Sequence, residues 1–243
     1  MYQQPPGEMV PYQQPPGGMV PYQQPPGGMA PYYPPQPPPT PTGMLPSNPI
    51  VVIAPHFCIP YPVDLTIAKK RLTISEGNFG VYDINGNNIF KVQGTLVSIR
   101  DRRVLVDAAG VPLATLQQKI LTCHRRWQVY RGDSSDSKDL LFSVKKSSLL
   151  QIKTSLHVFL ASNTAEEVCD FKIKGSYYAH SCVIYHGNSN NIVARMHMEH
   201  TVQSMFLGKD TYSITVYANV DYAFVVALCA VLNEINMDRS GED

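Results

Sequence analysis

The 243-residue chain carries a formal net charge of +1, with 20 Lys and Arg residues against 19 Asp and Glu residues. This balance excludes a global electrostatic field that would recruit nucleic acid or an acidic partner, so any anion binding must come from a local basic cluster. The length suits one well-buried domain with a tail and is short for two domains.

Residues 1–49 differ in composition from the rest of the chain, because they hold 17 of the 21 prolines and only one charged side chain, Glu8. A decamer is written three times, as YQQPPGEMVP, YQQPPGGMVP and YQQPPGGMAP. Paired prolines favour polyproline II, and the apolar content is too low to offset the entropy of folding, so the tail is predicted to be disordered. The PxxP spacing of PYYP and PPQP indicates a protein partner of the tail, while the other interpretation is a flexible spacer.

The five cysteines indicate the compartment. They are odd in number and lack CxxC spacing, and the N-terminus shows neither a basic nor an apolar leader region. We therefore expect free thiols in a reducing compartment and an intracellular, cytoplasmic location.

From Val63 onward, β-branched or aromatic runs alternate with turns built from Asp, Asn and Gly, as in FGVYDINGNNIFKV and RVLVDAAGVPLATL. This pattern predicts an antiparallel all-β architecture of about a dozen strands. The candidate runs are Leu65–Ala68, Arg71–Ile74, Gly80–Tyr82, Ile89–Val92, Leu96–Ile99, Val104–Asp107, Leu113–Gln117, Trp127–Tyr130, Leu140–Val144, Gln151–Ser155, Val168–Ile173, Cys182–Tyr185, Ile192–Met196 and Tyr212–Val216. The echo between NNIF and NNIV suggests either two related halves or a common turn type.

The stretch DYAFVVALCAVLNEIN contains an apolar run from Tyr222 to Leu232. As a helix this run spans about 17 Å, whereas a bilayer core of about 30 Å needs roughly 20 residues, so no transmembrane span is predicted. A helix apolar on all sides must be surrounded on all sides. The predicted fold is therefore mainly β: over residues 50–238, a closed antiparallel barrel of about 12 strands around a central hydrophobic C-terminal α-helix.

Asp221 is expected near the entrance of the barrel and Glu234 near its exit. The residues expected to form the core of the helix are Tyr222, Phe224, Val225, Val226, Leu228, Val231 and Leu232.

Several long stretches, in order, carry a family resemblance. They are PYPVDLTIAKK, GNFGVYDINGNNIFKV, RVLVDAAGVPLATLQQK, HRRWQVYRG, CDFKIKGSYYAHSCVIY, HTVQSMFLGKDTYSITVYANVDYAFVVAL and LNEIN. The chain from about Ile50 to Asn236 resembles the plant LURP-one-related proteins, whose fold is shared with the C-terminal domains of Tubby-like proteins and with phospholipid scramblases. The resemblance implies a twelve-stranded barrel around a central helix and no established chemistry. It also implies an association of some members with plant defence and, by analogy with Tubby, membrane-tethered regulation.

Motifs for catalysis or metal binding do not stand out. Neither GxSxG nor a P-loop is present, and the imidazoles of the His197–His200 pair would point to opposite faces of a strand. The acidic residues before the final helix, Asp210 and Asp221, fall far short of the six to eight oxygens that calcium prefers. We therefore expect a non-enzymatic protein without a cofactor, a metal or a specific nucleic-acid site.

Local basic clusters are the remaining features that indicate binding chemistry. Tubby-like domains bind phosphoinositide headgroups through basic side chains on the barrel wall, so the resemblance implies an anionic-lipid site. The candidates are Arg100, Arg102, Arg103, Arg125, Arg126, Lys172 and Lys174. Arg100 and Arg102 would share a face of a strand, as would Lys172 and Lys174. The alternative is that these are ordinary solvated charges that protect strand edges.

Two functional hypotheses follow. The first is an intracellular module that docks on anionic membrane phospholipid, peripherally at the plasma membrane, or on a protein partner, with a nuclear role left open. The second is scramblase-like lipid transport at a membrane, which requires the apolar run to reach lipid.

Overall fold

A computed structural model of the chain describes residues 48–69, 78–94, 102–119, 126–147, 154–176, 180–197 and 211–240. These residues form twelve β-strands and one α-helix, with short 3-10 turns at Pro55–Phe57 and Ser137–Asp139. The elements are β1 (Val63–Lys69), β2 (Phe79–Tyr82), β3 (Asn88–Gly94), β4 (Arg102–Asp107), β5 (Pro112–Lys119), β6 (Arg126–Arg131), β7 (Leu140–Lys146), β8 (Thr154–Leu160), β9 (Phe171–Gly175), β10 (Val183–His186), β11 (Ile192–His197), β12 (Thr211–Val216) and α1 (Tyr222–Ser240).

The strands form a closed antiparallel barrel in which each strand pairs with the next along the chain. β1 and β12 close it over six residue pairs, from Val63 opposite Val216 to Ala68 opposite Thr211. Closure leaves none of these strands with an unpaired edge. The predicted fold class is confirmed.

The hairpin turns follow the chemistry expected from the sequence. In the β2–β3 turn the Asp83 Oδ1 atom accepts hydrogen bonds from the backbone N–H of Asn85 (2.9 Å) and Asn87 (2.8 Å). Gly86 has a φ of 81°, which favours glycine. A register shift lies close to the turn in four hairpins, β2–β3, β4–β5, β6–β7 and β10–β11. NNIF and NNIV thus lie at two hairpins that both contain such a shift.

The predicted strand Gln151–Ser155, whose first three residues lie outside the described residues, ends too early, and the predicted strand Val168–Ile173 begins too early. β8 runs on to Leu160, because Leu156 and Val158 alternate inward with outward side chains as a half-buried strand requires. β9 begins only at Phe171, because the chain before it belongs to a loop in which Val168 is exposed. The predicted strands at 71–74 and 96–99 lie outside the described residues, as does the tail up to residue 47.

Helix α1 fills the barrel. Its residues 223–232 are at most 2% exposed, so the apolar run is buried on every side, and Tyr222 alone of the predicted core residues is half-buried. The Phe224 ring packs against Phe142 of β7 and Phe171 of β9, with ring centroids 5.1 Å and 4.9 Å away. The helix extends beyond the apolar run and ends at Ser240. Within the described residues, no helix combines the length and the hydropathy needed to cross a membrane.

A buried carboxylate holds the start of α1. Asp221 is fully buried, and its Oδ1 atom caps the helix by accepting the N–H of Phe224 at 3.0 Å. Its Oδ2 atom accepts three backbone N–H groups, from Val52 (3.1 Å), Ile53 (2.6 Å) and Ala54 (3.1 Å). One side chain therefore joins the helix to the segment that precedes β1.

That segment, residues 50–59, is attached to the barrel at further points. Ile50 forms a parallel bridge with Val220, and the Arg131 guanidinium of β6 donates a 2.7 Å hydrogen bond to the carbonyl of Ile53. Burial, with the nearby Asp221 charge, raises the pKa of the Cys58 thiol to about 11. The thiol stays protonated at neutral pH and lies 3.3 Å from the Ile50 carbonyl, to which it donates.

Val226→Asp should prevent folding of the barrel, because it places a carboxyl group at a fully buried position near the centre of the apolar run of α1. The penalty for burying a charge without a partner is several kcal/mol, a large part of the stability of an ordinary domain. Circular dichroism during heating should show no cooperative transition. Val111→Asp is the matched control, because Val111 is exposed and its replacement should change stability by about 0.5 kcal/mol or less. A folded Val226→Asp protein would contradict the assignment of this helix as the barrel core.

Asp221→Ala should destabilise the folded state by about 3 kcal/mol or more, because it removes a helix cap and the acceptor of three buried N–H groups. Urea denaturation measures the change. The control is Asp107→Ala, since Asp107 also accepts a backbone N–H, from Val111, but in an exposed turn. Equal losses in the two variants would show that Asp221 has no special structural role.

Candidate functional site

The candidate basic residues that the structure describes fall into two groups: those that form an ion pair with a described carboxylate, and those that do not. Arg103 is a correction to the sequence prediction, because its side chain does not lie on the outer wall. Its Nε atom lies 3.0 Å from the Glu234 Oε1 atom of α1, and both side chains are largely buried. A Cβ atom on Gly94, the residue opposite Arg103, would overlap the end of the guanidinium, so a larger residue there would require the Arg103 side chain to shift. Arg103 fixes the helix and is unavailable to a membrane.

Two further candidates lie on the outer wall in ion pairs. Arg102 contacts the Asp133 carboxylate. Arg126 donates two parallel hydrogen bonds to Glu166, at 2.7 Å and 2.6 Å, and Lys145 of β7 lies 3.3 Å from the same carboxylate. The hydrogen bonds from Arg126, reinforced by the charges of Arg126 and Lys145, lower the pKa of Glu166 against the opposing effect of burial. The single negative charge of Glu166 thus offsets one of the two positive charges that it contacts.

Lys172 and Lys174 of β9 differ from the other described candidates. Phe171 and Ile173 face the core, so the alternating lysines project from the outer wall on the same face, in the arrangement that the strand period predicts. No carboxylate of the described residues forms an ion pair with either lysine. Arg100 and Arg125, the remaining candidates, lie outside the described residues.

The register of the strands surrounds the two lysines with polar and aromatic side chains. His157 of β8 and Tyr185 of β10 lie directly opposite Lys172 on its two sides, while Ser155 lies opposite Lys174. The Lys172 ammonium is 6.0 Å from the centroid of the Tyr185 ring. We name the group Ser155, His157, Lys172, Lys174 and Tyr185 the β9 basic surface.

His157 was missed by the sequence reasoning. Burial, together with the charges of Lys145, Lys172 and Lys174, lowers its pKa below the ordinary value for histidine. The alternation in SLHVFL was the available signal, since a strand extended to Leu160 places His157 on the outer face. Ending the predicted strand at Ser155 hid this neighbour of Lys172.

The described side chains of this surface are cations and hydrogen-bond donors. They comprise two ammonium groups, an imidazole and two hydroxyl groups on neighbouring strands, where directly opposite side chains are about 5 Å apart. Among the described residues, no group of three or more His, Cys, Asp or Glu side chains is placed to hold a metal ion.

Comparisons with known proteins show the family to which this chain belongs. The family model LURP-one-related matches residues 63–233, from the start of β1 into α1. The chain belongs to the LURP-one-related family. It is 51% identical to Protein LURP-one-related 15 of Arabidopsis thaliana over 77% of this chain and 87% of that protein. It is also 44% identical to Protein LURP1 of the same plant, over 78% of this chain and 91% of the relative.

A solved structure also resembles this chain. It is an X-ray structure of a protein from Arabidopsis thaliana, with a TM-score of 0.61 and 41% sequence identity. The match covers 76% of this chain and 98% of that one.

Glu166→Gln should destabilise the protein at neutral pH by about 1 kcal/mol, because it breaks the paired hydrogen bonds from Arg126 and the contact with Lys145. The lowered pKa of Glu166 means that the folded protein holds its carboxylate charged more readily than the unfolded chain does. The stabilisation is therefore present above the unfolded pKa and is lost as the pH falls through the folded pKa. Thermal unfolding of wild type and variant should converge in that acidic range.

The control for this measurement is Glu167→Gln, because Glu167 is the exposed neighbour and makes no ion pair among the described residues. It should have little effect at any pH. A constant difference between wild type and Glu166→Gln down to low pH would show that the carboxylate charge does not stabilise the loop.

Proposed function

We propose that the protein is a non-enzymatic module that docks reversibly on membranes carrying phosphoinositides, and that Lys172 and Lys174 make the principal contact. The supporting observation is that these two ammonium groups project together from the outer wall without a carboxylate partner among the described residues. A headgroup with several phosphates needs convergent cations. Residues two apart on a strand offer them at a spacing of about 7 Å.

The neighbourhood of the β9 basic surface supports the same proposal. Val183 lies opposite both Lys174 and Arg195, which places the exposed Arg195 of β11 two strands, or about 10 Å, from Lys174. Arg195 extends the cationic area along the wall. Tyr185 adds an amphipathic ring, a side chain that favours the headgroup level of a membrane.

Lipid transport of the scramblase type is less well supported. That alternative requires the apolar run of α1 to reach lipid, and residues 223–232 are instead enclosed by the barrel. Docking on the outer wall needs no opening of the barrel, so we favour it.

The resemblance to Tubby-like domains extends the proposal. By that analogy, docking would tether a regulator peripherally at the plasma membrane, with the proline-rich tail bound to a protein partner and a role in defence. Tethering of this kind is strongest when headgroup binding and a partner contribute together.

Sedimentation with phosphatidylcholine vesicles that contain phosphatidylinositol 4,5-bisphosphate tests the proposal. Lys172→Gln with Lys174→Gln removes two positive charges from the β9 basic surface. At about 1 kcal/mol for each basic residue at a membrane surface, the double variant should bind roughly thirtyfold more weakly. Binding by the wild type should also weaken as the salt concentration rises.

The matched control is Lys91→Glu, which lowers the net charge by the same two units. Lys91 is exposed on β3, six strands from β9 in either direction around the barrel and hence on the opposite wall. The Lys91→Glu variant should bind the vesicles within about twofold of wild type. Its altered charge is further from the β9 basic surface than the screening length of about 10 Å, beyond which surface charges interact weakly. Equal losses in both variants, or no binding by wild type, would overturn the proposal.

A further inference from the structure

His157 lies in the β9 basic surface between two ammonium-bearing strands. In the strand register it is directly opposite Lys145 of β7 on one side and Lys172 of β9 on the other, with Lys174 on the diagonal. Its partly buried ring lies on the outer wall, and no carboxylate of the described residues pairs with it. Of the three lysines around His157, Lys145 is paired with a described carboxylate, that of Glu166.

We propose that the anion bound at the β9 basic surface is a phosphate monoester and that His157 takes up a proton from solvent as the anion binds. This inference rests on the proposed function and specifies the ligand chemistry of the same site. Mildly acidic conditions should therefore strengthen docking.

Anion binding favours protonation of His157 because it reverses the sign of the electrostatic field at the imidazole. In the free protein, burial and three nearby ammonium groups oppose the imidazolium, which lowers the pKa of His157. An anion between His157 and the lysines reverses the field, since its charge favours the imidazolium and screens the ammonium groups. The pKa of His157 therefore rises on binding, and proton uptake and anion binding strengthen one another.

The size of the anion charge decides which phosphate suits this site. A phosphate monoester carries about −1.5 to −2 charges near neutral pH, against about −1 for the diester that links a lipid headgroup. The monoester should therefore raise the pKa of His157 more than a diester would. The ring phosphates of phosphoinositides are monoesters, so the site should favour them over phospholipids with only a diester phosphate.

The first test compares wild type with His157→Gln on vesicles containing phosphatidylinositol 4,5-bisphosphate, at about pH 7.5 and about pH 5.5, on either side of the ordinary histidine pKa. The two proteins should bind similarly at the higher pH. At the lower pH, wild type should bind up to about tenfold more tightly than the variant, the gain for a shift of one pKa unit. The comparison is made against the variant because the phosphate itself titrates near pH 6.

The matched control is His56→Gln, because His56 is exposed in the segment before β1. It should follow wild type at both pH values. The second test needs no variant: the pKa of His157 is measured by NMR in wild type with and without inositol 1,4,5-trisphosphate. Saturation should raise it by about one unit.

The outcomes separate the inference from the proposed function. Binding by wild type with the same pH dependence in His157→Gln, or an unchanged imidazole pKa at saturation, would overturn the proton-linked monoester site and leave membrane docking standing. Failure of wild type to bind the vesicles at either pH would overturn docking itself. Tighter binding of inositol trisphosphate in solution than of the vesicles would overturn the membrane as the source of the phosphate. If His157→Gln fails to fold, the NMR titration decides.

Discussion

The hydrogen bonds to the Asp221 carboxylate fix the start of α1 against the segment before β1, and packing inside the barrel depends on that position. An apolar helix inside an apolar lumen keeps some freedom to slide along its axis, because sliding it by one turn exchanges one set of apolar contacts for another. Charged residues at two levels remove that freedom. Asp221 is held by the segment before β1, and Glu234, about 20 Å further along the helix axis, meets Arg103. A displaced helix would bury both carboxylates without partners, at several kcal/mol each.

The position of α1 inside the barrel also determines which side chains face outward on the wall. Once Phe224 is fixed against Phe171, the side-chain alternation of β9 is fixed as well, and its lysines must face outward. A slip of one residue would turn Lys172 into the core and bring Ile173 to the surface. The β9 basic surface therefore depends on packing at the centre of the barrel, although none of its residues contributes to that core.

The sequence was sufficient for the parts of the fold that depend on local pattern. The apolar run from Tyr222 to Leu232 predicted the buried helix, and the Asn-Gly turn predicted the β2–β3 hairpin. Long-range partners could not be predicted, since the N–H groups bound by Asp221 lie 167 to 169 residues away. For the same reason nothing in the pair Arg102–Arg103 indicated which one would face Glu234. The shared face of Lys172 and Lys174 followed from alternation, whereas His157 was missed because the predicted strand ended at Ser155.

The placement of acidic residues, more than the number of basic ones, decides which cations of this nearly neutral protein are left without a carboxylate partner among the described residues. Glu166 illustrates the point, because its loop turns through a left-handed backbone conformation, φ 50°, and its carboxylate meets Arg126 and Lys145. Those two cations then offer little to an external phosphate. One strand beyond Lys145, His157 lies beside lysines that no described carboxylate pairs with. The boundary between the paired and unpaired cations thus runs along β8, and on this view His157 marks the edge of the surface that remains open to an anion.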